Sequence, residues 1–214
     1  MNCPLPGGGA GRPRRIGSCS WRGLCLLLLA AMALGARAAP DPIEQFQGTL
    51  LQVMQEAKAL GFEGRARRFD ALVEAVFDLE RITRRICGRV WSGLDGERRS
   101  ALREAFKRLS VAMLASEFDG YKGETFRPPE VLSQSEKRRR VRSALVSGDG
   151  DSVSIIYTLR KTVRGWRVVD VLFDGISEVQ IRRAEFRGVL KRKGLDGLMA
   201  LLAERTTALA AASP

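Results

Sequence analysis

The chain has 214 residues, with 36 Lys and Arg against 24 Asp and Glu, a net charge of +12, and no histidine. That length fits one domain with a sizeable core, and the missing histidine removes the commonest general base and metal ligand. Of the four cysteines, Cys3, Cys19 and Cys25 lie near the start, so no internal disulfide framework is expected in the rest.

Arg12, Arg14, Arg15 and Arg22 precede an unbroken apolar run from Leu24 to Leu34, followed by Ala36-Arg37-Ala38. This is the order of a secretory signal peptide, with cleavage expected after Ala38. The run falls short of the roughly 20 apolar residues a membrane span needs, and no small-residue lipobox precedes Cys25. Residues 1–38 are therefore read as a cleaved leader, 39–208 as the working domain and 209–214 as a loose Ala-rich tail. Cleavage removes five arginines and no acids, which lowers the net charge from +12 to +7 and leaves Cys87 as the lone thiol. Its neighbour Ile86 and its helical setting point to a buried, inert thiol.

Up to about residue 120 the periodicity is helical. Ile43, Phe46, Leu50, Met54 and Ala57 recur at steps of three and four, with Gly61 as a stop. Phe69, Leu72, Val73, Val76 and Phe77 repeat the pattern. Asp78 then caps a third helix through Ile82 and Ile86 to Val90, broken at Gly93. Asp95 starts a fourth, with Ala101, Leu102, Ala105, Phe106, Leu109, Met113 and Leu114 along one stripe.

After Tyr121 the period becomes two. Glu124 to Leu132 is a weak strand interrupted by Pro128-Pro129, hence at an edge. Glu136 to Val146 alternates Val141, Ser143 and Leu145 with arginines. A tight turn at Gly148-Asp149-Gly150 leads to a strand with Val153, Ile155, Tyr157 and Leu159 on one face, and Val163-Arg164-Gly165 turns again. Ser177 caps a helix through Val179, Arg183, Phe186 and Leu190, which Gly194 ends before a short helix near Leu195–Leu202. Helices followed by strands indicate an α+β fold: an antiparallel meander of about four strands packed with a helical N-terminal half and C-terminal helices.

The strand from Trp166 to Phe173 is unusual. Even positions give Trp166, Val168 and Leu172; odd positions give Val169, Val171 and Phe173. Successive side chains point to opposite faces, so both faces are expected to be covered. Either two protein layers sandwich this strand, or protein covers one face and a greasy ligand the other.

Catalytic and nucleic-acid readings find little support. Lys137-Arg138-Arg139-Arg140 with Arg142 is the strongest charge run, but it carries no interleaved aromatics to stack bases. A solvated strand face is the first reading, and a surface for anionic headgroups or acidic partner proteins the second. Asp170 and Asp174 lie roughly 13 Å apart along a strand, beyond the about 5–9.5 Å of a glycosidase pair, so capping and turn roles suit them better. No cluster has metal-ligand spacing, and no Gly-rich loop opens a helix after a strand. The expectation is a protein that is not an enzyme and needs no metal or cofactor.

Phe77-Asp78-Leu79-Glu80-Arg81-Ile82-Thr83-Arg84-Arg85, Gly88-Arg89-Val90-Trp91, and then Phe106 and Leu109 resemble the helical signature of the toluene-tolerance/Mla periplasmic phospholipid-carrier family. Gly165-Trp166-Arg167-Val168-Val169-Asp170-Val171, Asp174-Gly175-Ile176-Ser177, Phe186 and Gly194-Leu195-Asp196-Gly197-Leu198 resemble its C-terminal signature, in the same order. The resemblance runs from about Gln45 to Leu202. Cys87 stands where an ordinary aliphatic residue is expected, and the 122–135 segment with its two prolines matches poorly. One branch of the family is associated with hopanoid biosynthesis.

The resemblance implies a soluble periplasmic carrier that moves phospholipid, or a hopanoid-related lipid, between inner and outer membranes. Its acyl chains would lie in an apolar cavity enclosed by sheet and helices. It also implies transient contacts with an inner-membrane ABC lipid transporter complex and an outer-membrane lipoprotein complex. Burying a methylene is worth about 0.8 kcal/mol, so two chains with some 30 methylenes represent on the order of 25 kcal/mol of transfer from water. The expected lining residues are Ile155, Tyr157, Trp166, Val169, Val171 and Phe173 from the sheet and Phe77, Trp91, Phe106, Met113 and Leu114 from the helices. The competing expectation is a non-enzymatic periplasmic adaptor that binds its partner through Arg138, Arg139 and Arg140.

Overall fold

Helices precede strands along the chain, and a last long helix returns over them. The computed structural model describes residues 41–213; the leader and its cleavage point lie outside the described residues. Among the described residues the helices are α1 (Pro42–Gln55), α2 (Ala57–Val76), α3 (Leu79–Cys87), α4 (Arg89–Ser92), α5 (Gly96–Glu117) and α6 (Glu178–Ala212). The strands are β1 (Thr125–Phe126), β2 (Glu130–Gln134), β3 (Arg138–Val146), β4 (Ser152–Thr162), β5 (Gly165–Phe173) and β6 (Ile176–Ser177).

Helix starts follow local chemistry. Asp41 accepts from the Ile43 amide at 2.9 Å with Pro42 in the first turn; Asp78 accepts from Arg81 and Asp95 from Arg98. Each satisfies an amide that the helix itself leaves without a partner. Glycines break helices rather than end them at two points: Gly61 kinks α2 and Gly194 kinks α6, with φ of 57° and 66°. Gly88, also at positive φ, separates α3 from α4 where one continuous helix to Val90 was expected. The Ala-rich tail is helical to Ala212, not loose, as befits the residue with the highest helix propensity.

These strands all pair antiparallel, in the order β1-β3-β4-β5-β6, with β2 also on β3. Pro128 and Pro129 fall between β1 and β2, splitting the expected edge strand in two. The β3–β4 ladder is regular from Arg138–Arg160 to Val146–Ser152. The β4–β5 ladder is not: Thr158 pairs with Asp170 but Leu159 with Val168, leaving Val169 as a bulge. One extra residue inverts the parity of everything beyond it. Trp166 and Val168 before the bulge, and Val171 and Phe173 after it, therefore share the face of Ile155, Tyr157 and Leu159.

Two hydrophobic clusters result. The first lies between this sheet face and α1, α2 and the C-terminal end of α5, with Leu50, Phe69, Val76, Tyr157, Leu159 and Val168 at its centre. The second is helical, with Ile86, Trp91, Leu102, Phe106, Phe186, Leu198 and Leu202. α5 serves both, giving Val111 and Ala115 to the first and Leu102, Ala105, Phe106 and Leu109 to the second.

Candidate lipid-binding site

The sheet contributes one wall of an apolar seam. Val141, Ile155, Tyr157, Leu159 and Val168 are buried on it, with Trp166, Val171 and Leu145 partly buried beside them. The opposite wall is helical: Ile43, Phe46, Leu50 and Met54 from α1, then Phe69, Leu72 and Val73 from α2. Phe46 meets Phe77 and Tyr157 edge-on, with centroids 5.5 and 6.4 Å away, the arrangement that ring quadrupoles favour.

Few polar groups enter the seam. The Gln47 amide donates to the Tyr157 hydroxyl at 3.3 Å, and burial pushes the Tyr157 pKa up to about 12. Arg65, only 2 % exposed, donates to the Ala115 and Ala57 carbonyls and ties α2 to α5.

The two ends of the seam differ. At one, Arg139 and Lys161 lie over the Trp166 ring at 5.2 and 5.3 Å from its centroid, and Arg139 pairs with the α1 cap Asp41. Cations over an indole face with an ion pair behind them make a closed end. At the other, a pocket of about 300 Å³ opens between Met54, Phe118, Leu145 and Val153, rimmed by Glu117, Asp119, Lys122, Glu124, Ser147 and Asp151. Met54, Phe118 and Leu145 also belong to the first cluster, so the pocket borders the packed end of the seam. From Val153 to Lys161 the seam runs about 26 Å at strand rise, longer than the roughly 15 Å that one leaflet of acyl chain occupies.

The expected lining residues fall into separate places. Phe77, Leu114, Ile155, Tyr157, Trp166 and Val171 come together at the seam. Phe173 lies on the same face at its open end, 42 % exposed. Trp91, Phe106 and Met113 belong to the second cluster. There Met113 borders a cavity of about 480 Å³ with Leu109, Ala208, Leu209, Ala212, Arg182 and Arg205. Val169 is the bulge residue, buried, with its carbonyl accepting from Arg85. Phe46, Leu50, Met54 and Leu145 were not among the expected lining residues; their helical and alternating periods marked them as core without saying which core.

Other side chains have structural work. Asp170 accepts from Ser177 Oγ and the Val179 amide and faces Arg85 at 3.4 Å, so it holds the start of α6. Asp174 sits in the β5–β6 turn at φ 47° and accepts from the Ser154 amide. Arg139 differs from the expected basic face: it lies on the seam side, while Arg138 and Arg140 point outward. Cys87 is buried, and burial raises its pKa to about 12. Among the described residues no three His, Cys, Asp or Glu side chains are grouped to hold a metal, and no helix is long and apolar enough to cross a membrane.

Known proteins share this architecture. A phospholipid-binding protein from Ralstonia solanacearum, solved in complex with a phospholipid, superposes with a TM-score of 0.68 at 24% identity, over 80% of this chain and 99% of that one. The toluene tolerance protein ttg2D of Pseudomonas putida is 26% identical over 182 residues, 82% of this chain and 84% of the relative. The fold is thus that of the phospholipid-binding protein, an α+β arrangement of helices and an antiparallel sheet. Residues 44–204 match the MlaC protein family, and the chain belongs to that family.

Proposed function

We propose that the protein is a phospholipid carrier whose acyl chains enter the seam between the sheet and α1–α2 through the pocket at Met54, Phe118, Leu145 and Val153. The observation that carries this reading is an open pocket that shares Met54, Phe118 and Leu145 with an apolar seam longer than the span of one leaflet's acyl chain. The relatives add to it: one was solved with a phospholipid bound, and another is named for tolerance of an organic solvent.

Carriage needs no nucleophile or metal. It needs apolar contact comparable to what the lipid leaves behind, about 0.8 kcal/mol per methylene, and a headgroup left in water. The polar rim of Glu117, Asp119, Lys122 and Glu124 suits a headgroup that stays hydrated. In this reading the protein works in the periplasm after loss of residues 1–38. It exchanges lipid with an inner-membrane ABC transporter complex and an outer-membrane lipoprotein complex. The test is transfer of a fluorescent phospholipid between donor and acceptor vesicles. Protein should raise the rate in proportion to its concentration, and a rate equal to spontaneous exchange would overturn the proposal.

A further inference from the structure

The sheet face turned away from the seam carries charge that the fold does not use. Regular β3–β4 pairing puts Arg138, Arg140 and Arg142 on this outer face, with Arg160 directly opposite Arg138. Like charges facing each other across an antiparallel pair destabilise the sheet. Arg142 has Glu130 at 2.7 Å, but Arg138, Arg140 and Arg160 have no ion pair among the described residues. Beside them, Val163 at the β4–β5 turn is fully exposed.

We propose that this face is a membrane-contact surface that adsorbs to anionic phospholipid headgroups. The array is closely spaced: neighbouring strands lie about 4.8 Å apart, and alternate residues along β3 about 7 Å apart. Protein hot spots centre on an aromatic or arginine anchor in a desolvated pocket, whereas the outward positions of β3 and β4 hold arginines, Ala144, Ile156 and Thr158 and no aromatic. A fluid layer of phosphates meets an unshaped row of guanidiniums without needing such a pocket. Charge is also segregated, since the seam mouth is rimmed mainly by Glu117, Asp119, Glu124 and Asp151. An anionic surface therefore attracts the sheet and repels the mouth. Lying on this face, the protein keeps its strands parallel to the bilayer and its mouth opening sideways. Adsorption of this kind does not depend on what the seam holds.

The test is co-sedimentation of the whole protein with vesicles of phosphatidylcholine alone and of an equimolar phosphatidylcholine–phosphatidylglycerol mixture, at low and at physiological ionic strength. Binding is expected to the mixed vesicles only and to weaken with salt. Arg138→Gln with Arg140→Gln should weaken it about fivefold per charge, roughly 25-fold together. Arg89→Gln with Arg192→Gln, an equal charge change at exposed helical positions, should leave it nearly unchanged. Arg138→Gln removes the repulsion with Arg160, so the sheet double variant should melt no lower than the parent. Absence of binding to mixed vesicles at low salt, or equal loss in the two double variants, would overturn the proposal. Binding to immobilised polyglutamate but not to vesicles would overturn it in favour of an acidic protein partner.

Discussion

Two weak acids are held protonated inside the fold. Burial raises Cys87 from an ordinary 9.0 to about 12 and Tyr157 from 10.0 to about 12. Below pH 9 both are neutral in the folded and unfolded chains and stability does not depend on them. Above it the unfolded thiol releases a proton that the folded one keeps, and above 10 the unfolded phenol does the same. The unfolded state then binds fewer protons, so stability falls as pH rises, by at most about 1.4 kcal/mol per pH unit for each group. Urea midpoints should be level up to about pH 9, decline beyond it and steepen beyond about 10. Tyr157→Phe should remove the later steepening and, by leaving the Gln47 donor without its acceptor, cost about 1 kcal/mol at neutral pH. A midpoint unchanged to about pH 11 would contradict this. The inert character of Cys87 was legible in sequence from its apolar helical setting. The link from Tyr157 to Gln47 was not, because 110 residues separate them and no local pattern joins them.

At the scale of elements, the decisive feature is the bulge at Val169. Without it Trp166 and Val168 would face away from Val171 and Phe173, and a core face would lose two large side chains. Deletion of Val169 removes the extra residue itself, so it should give a plain ladder that keeps Trp166 and Val168 inward and still folds. Deletion of Ile156, where both ladders are regular, instead shifts the parity of buried residues and should lower the melting temperature sharply or prevent folding. Val169→Ala, which keeps the bulge and loses only a buried isopropyl group, should cost about 1–3 kcal/mol. Equal effects of the two deletions, measured by thermal denaturation, would argue against this register.

The same strand shows where sequence reading stops. Starts of helices at Asp78, Asp95 and Ser177 are legible because a cap and its amide lie within three residues. The large residues at both parities of Trp166–Phe173 signalled something unusual, but the register of a strand belongs to its partner. Part of the apparent second apolar face is one face read through a slip. The rest is real: Asp170 is buried on the far side by α6 and Arg85, and Leu172 is partly covered. Glycine positions were legible, yet whether Gly61 and Gly194 stop a helix or kink it depends on whether the chain beyond them finds a surface to pack on. The division of the helical stripes between two clusters was likewise beyond reach, since α5 serves both.

For the whole molecule, the seam is proposed as a lipid site and the outer sheet face as a surface for approach. Both rest on the sheet having two unlike faces, apolar inward and, along β3 and β4, basic outward. A charge-dependent landing and an apolar cargo would then act at right angles, with the mouth at one strand end free for exchange. The central claim is that the seam carries phospholipid. Native mass spectrometry of the protein purified without detergent tests it most directly: a population heavier by the mass of one phospholipid is expected. Leu145→Trp, placed at the mouth, should fold normally and lose that species. Only lipid-free protein, even after incubation with phospholipid vesicles, would contradict the claim.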